Sequence, residues 1–168
     1  MRNRRTNSIL AAALSLVTVA LAQNPTDPPS SQRPILTVTG KGVQIYTCQQ
    51  SSAGPQWVLQ SPEATLIDAS GNTVGTHGAG PTWKSTDGSA IKGELVQKSP
   101  SPDATSIPWL LLKAASPSGS GIMTRVEYIR RSGTHGGVSP TTGCDAQHLN
   151  AVSRVPYTAT YTFYSAKP

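Results

Sequence analysis

The segment 157–164, Y-T-A-T-Y-T-F-Y, alternates strictly between two kinds of side chain. Tyr157, Ala159, Tyr161 and Phe163 share one parity, and threonines occupy the positions between them. A period of two sends successive side chains to opposite faces of a β-strand, and aromatic and β-branched residues favour that conformation. The segment therefore predicts a strand with an aromatic face toward a core and a threonine face toward solvent.

Most of the remaining chain consists of short β-type runs separated by turn residues. No stretch keeps a 3.6-residue apolar period for long, which argues against amphipathic helices. Further strands are predicted at residues 35–39, 43–50, 56–60, 64–67, 73–74, 82–85, 90–97, 107–115 and 122–131. The pattern predicts a single all-β domain of about eight strands, either an antiparallel β-sandwich or a small β-barrel.

Residues 75–93, G-T-H-G-A-G-P-T-W-K-S-T-D-G-S-A-I-K-G, are too irregular for a helix and too specific for a linker. Within them Asp87-Gly88 favours a type I′ hairpin, because that turn needs two positive φ angles. The hairpin should join residues 82–85 to residues 90–97. An aromatic such as Trp83, placed after a glycine-rich loop, could stack on a sugar or another flat ligand.

Two further segments have distinct patterns. In residues 122–131 the side chains alternate between two faces of a predicted strand. The face that includes Val126 is apolar, and the face that includes Arg131 is mostly polar. The polar face is therefore solvated or lines a polar cleft. Residues 133–150 form a long glycine-rich loop with His135 and His148. Such loops are often functional, although a disulfide alone could explain this one.

The N-terminus has the features of an export signal. Arg2, Arg4 and Arg5 precede an apolar run, and Ala20-Leu21-Ala22 is a cleavage pattern ahead of Gln23. We therefore expect residues 1–22 to be a signal peptide, residues 23–34 a flexible proline-rich leader and residues 35–168 a single β domain. The protein should be secreted, extracellular or periplasmic, with no membrane span.

Charge and motifs exclude several functions. The formal net charge of +6 includes the three arginines of the signal peptide, and the other basic residues are scattered. A nucleic-acid partner would need a basic stripe with interleaved aromatics, so none is expected. No G-x-G-x-x-G follows a strand and opens a helix, so no dinucleotide cofactor is expected, and no other cofactor is indicated. We expect a monomer.

The only cysteines, Cys48 and Cys144, both follow the export signal. In an oxidising compartment the expected state is one disulfide between them. It would close a loop of roughly 100 residues and stabilise the fold by about 4–5 kcal/mol in the chain-entropy model.

Few polar residues could perform chemistry. His77, with Asp145 and His148 at i and i+3, could supply a metal set, but their spacing is a weak signal and no metal is expected. The sequence lacks the G-x-S-x-G nucleophile elbow that a serine hydrolase would need. Acids such as Glu94 are too ordinary to indicate a glycosidase by themselves.

The order of several blocks resembles a known family. They are G-V-Q-I-Y-T-C-Q (42–49), P-E-A-T-L (62–66), A-G-P-T-W (79–83), I-P-W-L-L-L (107–112), G-C-D-A (143–146) and R-V-P-Y-T-A-x-Y-x-F-Y (154–164). Together they resemble a family of secreted bacterial and fungal domains of unknown function, some of whose fungal members are mislabelled malate dehydrogenase. The resemblance implies one domain, all-β, with the cysteine pair typical of the family, and it implies no catalytic residue.

The leading hypothesis is a binding module for a small molecule or a surface glycan, with His77, Trp83 and Asp87 lining the site. The alternative is a hydrolase or metal-dependent enzyme that uses His77 with Asp145, His148 or Glu94. A structural envelope or matrix protein without a discrete site is the third possibility.

Overall fold

The computed structural model describes residues 24–168, so the expected signal peptide, residues 1–22, lies outside the described residues. Eight antiparallel strands form one sheet. They are β1 (Gln32–Ser51), β2 (Gly54–Ile67), β3 (Thr73–Gly78), β4 (Thr82–Ser85), β5 (Ala90–Ser99), β6 (Trp109–Ser118), β7 (Tyr128–Gly136) and β8 (Val152–Ala166).

The sheet closes into a barrel. Each strand pairs with the next one in the chain, and β8 pairs with β1. Closure removes the exposed strand edges that a sheet would otherwise present. The all-β prediction is therefore confirmed, and of its two forms the barrel is the one that forms.

Two of the strands are longer than the sequence indicates. β1 joins the runs predicted at 35–39 and 43–50, and β2 joins those at 56–60 and 64–67. Gly40 and Gly42 interrupt the apolar pattern within β1, but a side chain at Gly40 would lie 2.5 Å from the ring of Tyr161. The glycine makes room for an aromatic ring inside the barrel. β1 begins at Gln32, so it includes the end of the proline-rich segment 23–34.

The alternation of β8 is confirmed. Tyr157, Ala159, Tyr161 and Phe163 are buried inside the barrel, and they pack with core residues of the other strands, among them Leu66. Eight strands enclose an interior just wide enough to be filled by side chains or to hold one small ligand.

The predicted hairpin of β4 and β5 forms, with Lys84 opposite Ala90. Its connection is longer than a two-residue type I′ turn. Within the connection, residues 86–89, only Gly88 has a positive φ, of 89°, so the predicted type I′ turn does not form. The N–H of Gly88 donates to the carbonyl of Ser85 at 3.1 Å.

The prediction of a strand over residues 122–131 is wrong for its first part. Ile122–Arg125 is a short 3₁₀ helix, and β7 begins only at Tyr128. The backbone N–H of Ile122 donates to Asp87 Oδ2 at 2.8 Å, and that of Met123 donates to Ser89 Oγ at 3.1 Å. The β4–β5 connection thus accepts hydrogen bonds from two backbone N–H groups of the 3₁₀ helix. The helix is thereby held across one end of the barrel, which the buried side chain of Met123 caps.

Candidate functional site

A cavity of about 480 Å³ lies inside the barrel, away from the end that the 3₁₀ helix caps. Its size falls within the usual range for small-molecule sites. Its inner wall comes from side chains of five strands: Gln44, Tyr46, His77, Trp83, Arg131 and Tyr161. Its rim includes Leu59, Pro81, Leu95, Lys98, Pro108 and Leu110.

His77 and Trp83 form an aromatic pair in this wall. They are register partners across β3 and β4, and their rings stack with centroids 4.3 Å apart and planes 10° from parallel. The ring of Tyr161 packs against both rings, with its centroid 5.1 Å from that of His77 and 5.7 Å from that of Trp83. Trp83 is only 1 % exposed, so it presents its ring to the barrel interior and not to bulk solvent.

The hydrogen bonding of His77 defines its tautomer. Its Nδ1 lies 3.0 Å from the carbonyl oxygen of Thr82, which can only accept, so Nδ1 carries the proton and Nε2 a lone pair. Burial lowers the pKa of His77 to about 4; the Thr82 hydrogen bond opposes this change, and the charge of Arg131 adds to it. The imidazole is therefore neutral at physiological pH.

Two buried hydrogen-bond donors in the cavity wall have no partner within residues 24–168. They are the amide nitrogen Nε2 of Gln44, a residue 2 % exposed, and the indole Nε1–H of Trp83. A buried donor without an acceptor costs roughly 1–3 kcal/mol. An acceptor atom of a water molecule or a ligand in the cavity would satisfy them.

Arg131 contributes the positive charge of the inner wall. Its Nε and Nη2 donate to the carbonyl oxygen of Pro108 at 3.1 Å and 2.8 Å, which fixes the plane of the guanidinium. On β7 it is opposite Leu110 of β6 and Tyr161 of β8.

Asp87 lies apart from His77 and Trp83. β4 separates them along the barrel wall: Pro81 precedes the strand at the cavity, whereas Asp87 follows it beside the 3₁₀ helix. Its carboxylate accepts hydrogen bonds from Ser89 and from the backbone of Ile122, which hold its pKa well below the usual range. Asp87 connects elements at the capped end and does not line the cavity.

The candidate metal ligands do not converge with His77 either. Asp145 and His148 hydrogen-bond to each other at 2.7 Å in an exposed loop, and neither lines the cavity. Glu94 is exposed on β5 opposite Lys113. Across residues 24–168, no three His, Cys, Asp or Glu side chains are grouped so that they could hold a metal ion.

The inner-wall residues that the sequence did not assign to a binding site are Gln44, Tyr46, Arg131 and Tyr161. One signal could have found Gln44: it shares its parity in the strand with Cys48, a residue expected to be buried in a disulfide. A polar side chain on the buried face of a strand has to find a partner inside the fold. Tyr161 already belonged to the predicted aromatic face.

A second, larger depression of about 730 Å³ adjoins His77 from outside the barrel. Its charged residues Lys41, Lys84, Glu63 and Arg154 are all exposed, and Arg154 pairs with Glu63 at 2.9 Å. None of the unpartnered buried donors of the described chain belongs to it. Unlike the inner cavity, this depression therefore has no unpartnered buried donor among its described lining residues.

Comparison with known proteins gives one match. The model of a family described as "Protein of unknown function (DUF3455)" matches residues 29–165. No curated protein and no solved structure matches the chain. Within residues 24–168 no helix has the length and apolar character needed to cross a membrane.

Proposed function

Because the chain belongs to the DUF3455 family of unknown function, we propose its function from the site itself: the domain binds one small ligand inside the barrel. The observation that carries this proposal is the pair of unpartnered donors, Gln44 Nε2 and Trp83 Nε1, in the wall of a cavity of about 480 Å³. Concave, largely preformed cavities with a few converging polar groups are the usual sites for small molecules.

The walls of the cavity favour binding over catalysis. Gln44, His77 and Trp83 lie on paired strands, so little conformational entropy is lost when a ligand enters. His77 uses Nδ1 on a backbone carbonyl and has no carboxylate partner among the hydrogen bonds of the described residues. A general base works best when its pKa lies near the operating pH, and the pKa of His77, about 4, lies well below neutral pH.

We also propose that the protein acts outside the cytoplasm, after removal of residues 1–22. The support is the disulfide between Cys48 and Cys144, since such bonds persist in oxidising compartments. Cell fractionation with detection of the mature N-terminus at Gln23 tests it; a full-length protein in the cytoplasm would contradict it.

The binding proposal can be tested with N-phenyl-1-naphthylamine, a neutral dye that fluoresces in apolar surroundings. The purified protein should bind it saturably. Leu110→Glu should abolish the binding, because it places a carboxylate in the cavity opposite Arg131. Val96→Glu is the matched control, since Val96 is 52 % exposed and does not line the cavity.

Thermal unfolding of both variants establishes that they are folded. Absence of saturable binding to the wild type, or equal binding by a folded Leu110→Glu variant, would contradict the proposal. Either outcome would favour the structural envelope or matrix protein as the alternative.

A further inference from the structure

The charge of the cavity is one-sided. Arg131 lies in its inner wall and Lys98 at its rim, and none of the lining residues in the described chain is acidic. The ion pairs within residues 24–168 involve two other arginines and two histidines and do not include Arg131. A positively charged ligand head would therefore be repelled, whereas an anionic head would be attracted by Lys98 at the rim and by Arg131 inside and would meet no competing carboxylate.

The tyrosines near Arg131 do not serve as its counterion. Burial raises the pKa values of Tyr46, Tyr157 and Tyr161 above their ordinary range. The hydroxyl of Tyr46 already donates to the carbonyl of Gly137 at 2.6 Å, and the hydroxyls of Tyr157 and Tyr161 lie 3.1 Å apart. These phenols stay neutral, so the guanidinium has a backbone carbonyl and the neutral Tyr161 hydroxyl as hydrogen-bond partners and no anionic one.

The unmet groups of the inner wall are donors. Gln44 Nε2 and Trp83 Nε1 each lack an acceptor, and Arg131 has N–H groups beyond the two that bind Pro108. An ionised carboxylate is an acceptor with two oxygens and about four lone-pair directions, and it binds guanidinium groups well. A neutral alcohol would offer only one acceptor oxygen, and its own hydroxyl proton would need a further acceptor.

The rim has the opposite character. Leu59 and Leu95 are 52 % and 60 % exposed, and prolines and Leu110 continue the apolar surface inward. Exposed apolar side chains around a cavity mark a place for an apolar part of a ligand. The polarity thus runs from hydrogen-bond donors at the buried end to apolar side chains at the opening.

We infer that the ligand is an amphipathic carboxylate, with its acid head at Arg131, Gln44 and Trp83 and its apolar body against Leu59 and Leu95. This inference rests on the proposed binding function and adds the chemical class of the ligand. The positive charge and the unpartnered donors indicate the acid head, and the apolar rim indicates the apolar body.

The test compares octanoate, 1-octanol and octylamine, which share one chain and differ in the head group, as competitors of N-phenyl-1-naphthylamine. Octanoate should displace the dye at a concentration at least about tenfold lower than either of the others. Arg131→Gln should remove this preference. Arg125→Gln makes the same change of charge at an exposed residue of the capped end and should keep it.

The outcomes separate the two proposals. If the dye binds in the cavity and octanol or octylamine competes as well as octanoate, the inference is overturned and the binding function stands. The same holds if octanoate does not compete, or if its preference survives in a folded Arg131→Gln variant. If the dye does not bind in the cavity at all, the binding function itself fails, and the inference fails with it.

Discussion

At the scale of single residues, His77 shows how the barrel sets the chemistry of a side chain. Its ring is 4 % exposed, stacked on Trp83 and tilted against Tyr161. The charged form would lose its hydration there and face the guanidinium of Arg131. The residue is thereby suited to accept a hydrogen bond at Nε2 and not to carry charge.

The lowered pKa of His77 predicts a dependence of stability on pH. The unfolded chain binds a proton below about pH 6.5, whereas the folded protein does so only below about pH 4, so acidification between these values favours unfolding. The free energy of unfolding should fall by up to about 3 kcal/mol as the pH decreases through this window. Urea unfolding at a series of pH values measures it.

His77→Asn is the variant for comparison, because an amide nitrogen can take the place of Nδ1 opposite the Thr82 carbonyl. It should flatten the curve between pH 6.5 and pH 4. A wild-type curve no steeper than that of His77→Asn would refute the assignment.

Sequence reasoning named two of the residues that line the cavity, His77 and Trp83. In the sequence the two residues share a glycine-rich stretch, and in the structure their rings stack. Arg131 could only be assigned to a polar face, since alternation distinguishes two faces but not which of them a barrel encloses. Asp87 was drawn into the set by its nearness in sequence, although β4 carries it to the far end of the barrel.

At the scale of elements, the connection between β4 and β5 organises the capped end. Ser89 is fully buried; its hydroxyl donates to Asp87 Oδ1 at 2.6 Å and accepts the N–H of Met123 at 3.1 Å. One side chain therefore satisfies groups on two elements. This arrangement explains why residues 122–125 turn into a 3₁₀ helix, which no local pattern revealed.

Ser89→Ala should destabilise the domain by roughly 1–3 kcal/mol, because it leaves the buried N–H of Met123 without its acceptor. Ser70→Ala, in an exposed turn, should have little effect. Chemical denaturation of the two variants measures the difference. Equal midpoints would show that the capped end does not depend on the Ser89 hydroxyl.

At the scale of the whole molecule, the barrel is closed by strand pairing and by one covalent bond. Cys48 on β1 and Cys144 in the loop before β8 are 96 residues apart in sequence and form a disulfide. The sequence could predict that bond by counting cysteines. It could not choose a barrel over a sandwich, because that depends on pairing between β1 and β8 at opposite ends of the chain.

Replacing both cysteines by alanine should lower the free energy of unfolding by about 4–5 kcal/mol, since the unfolded chain gains the entropy of an open loop. Reductant should bring the wild type close to the variant and leave the variant unchanged. Guanidinium unfolding with and without reductant measures both. A variant as stable as the oxidised wild type would contradict the prediction.

The central claim, that the barrel interior holds a ligand at its unmet donors, is tested most directly by the indole signals of the three tryptophans in ¹⁵N-labelled protein. Single Trp→Phe variants assign them. Trp109 is the internal control, since its Nε1 is also buried without a partner in the described chain, but it does not line the cavity. On titration with octanoate, the Trp83 signal should move downfield and saturate while those of Trp57 and Trp109 stay in place. A Trp83 signal that does not move, or one that moves no more than the signal of Trp109, would contradict binding of a carboxylate head at the unmet donors.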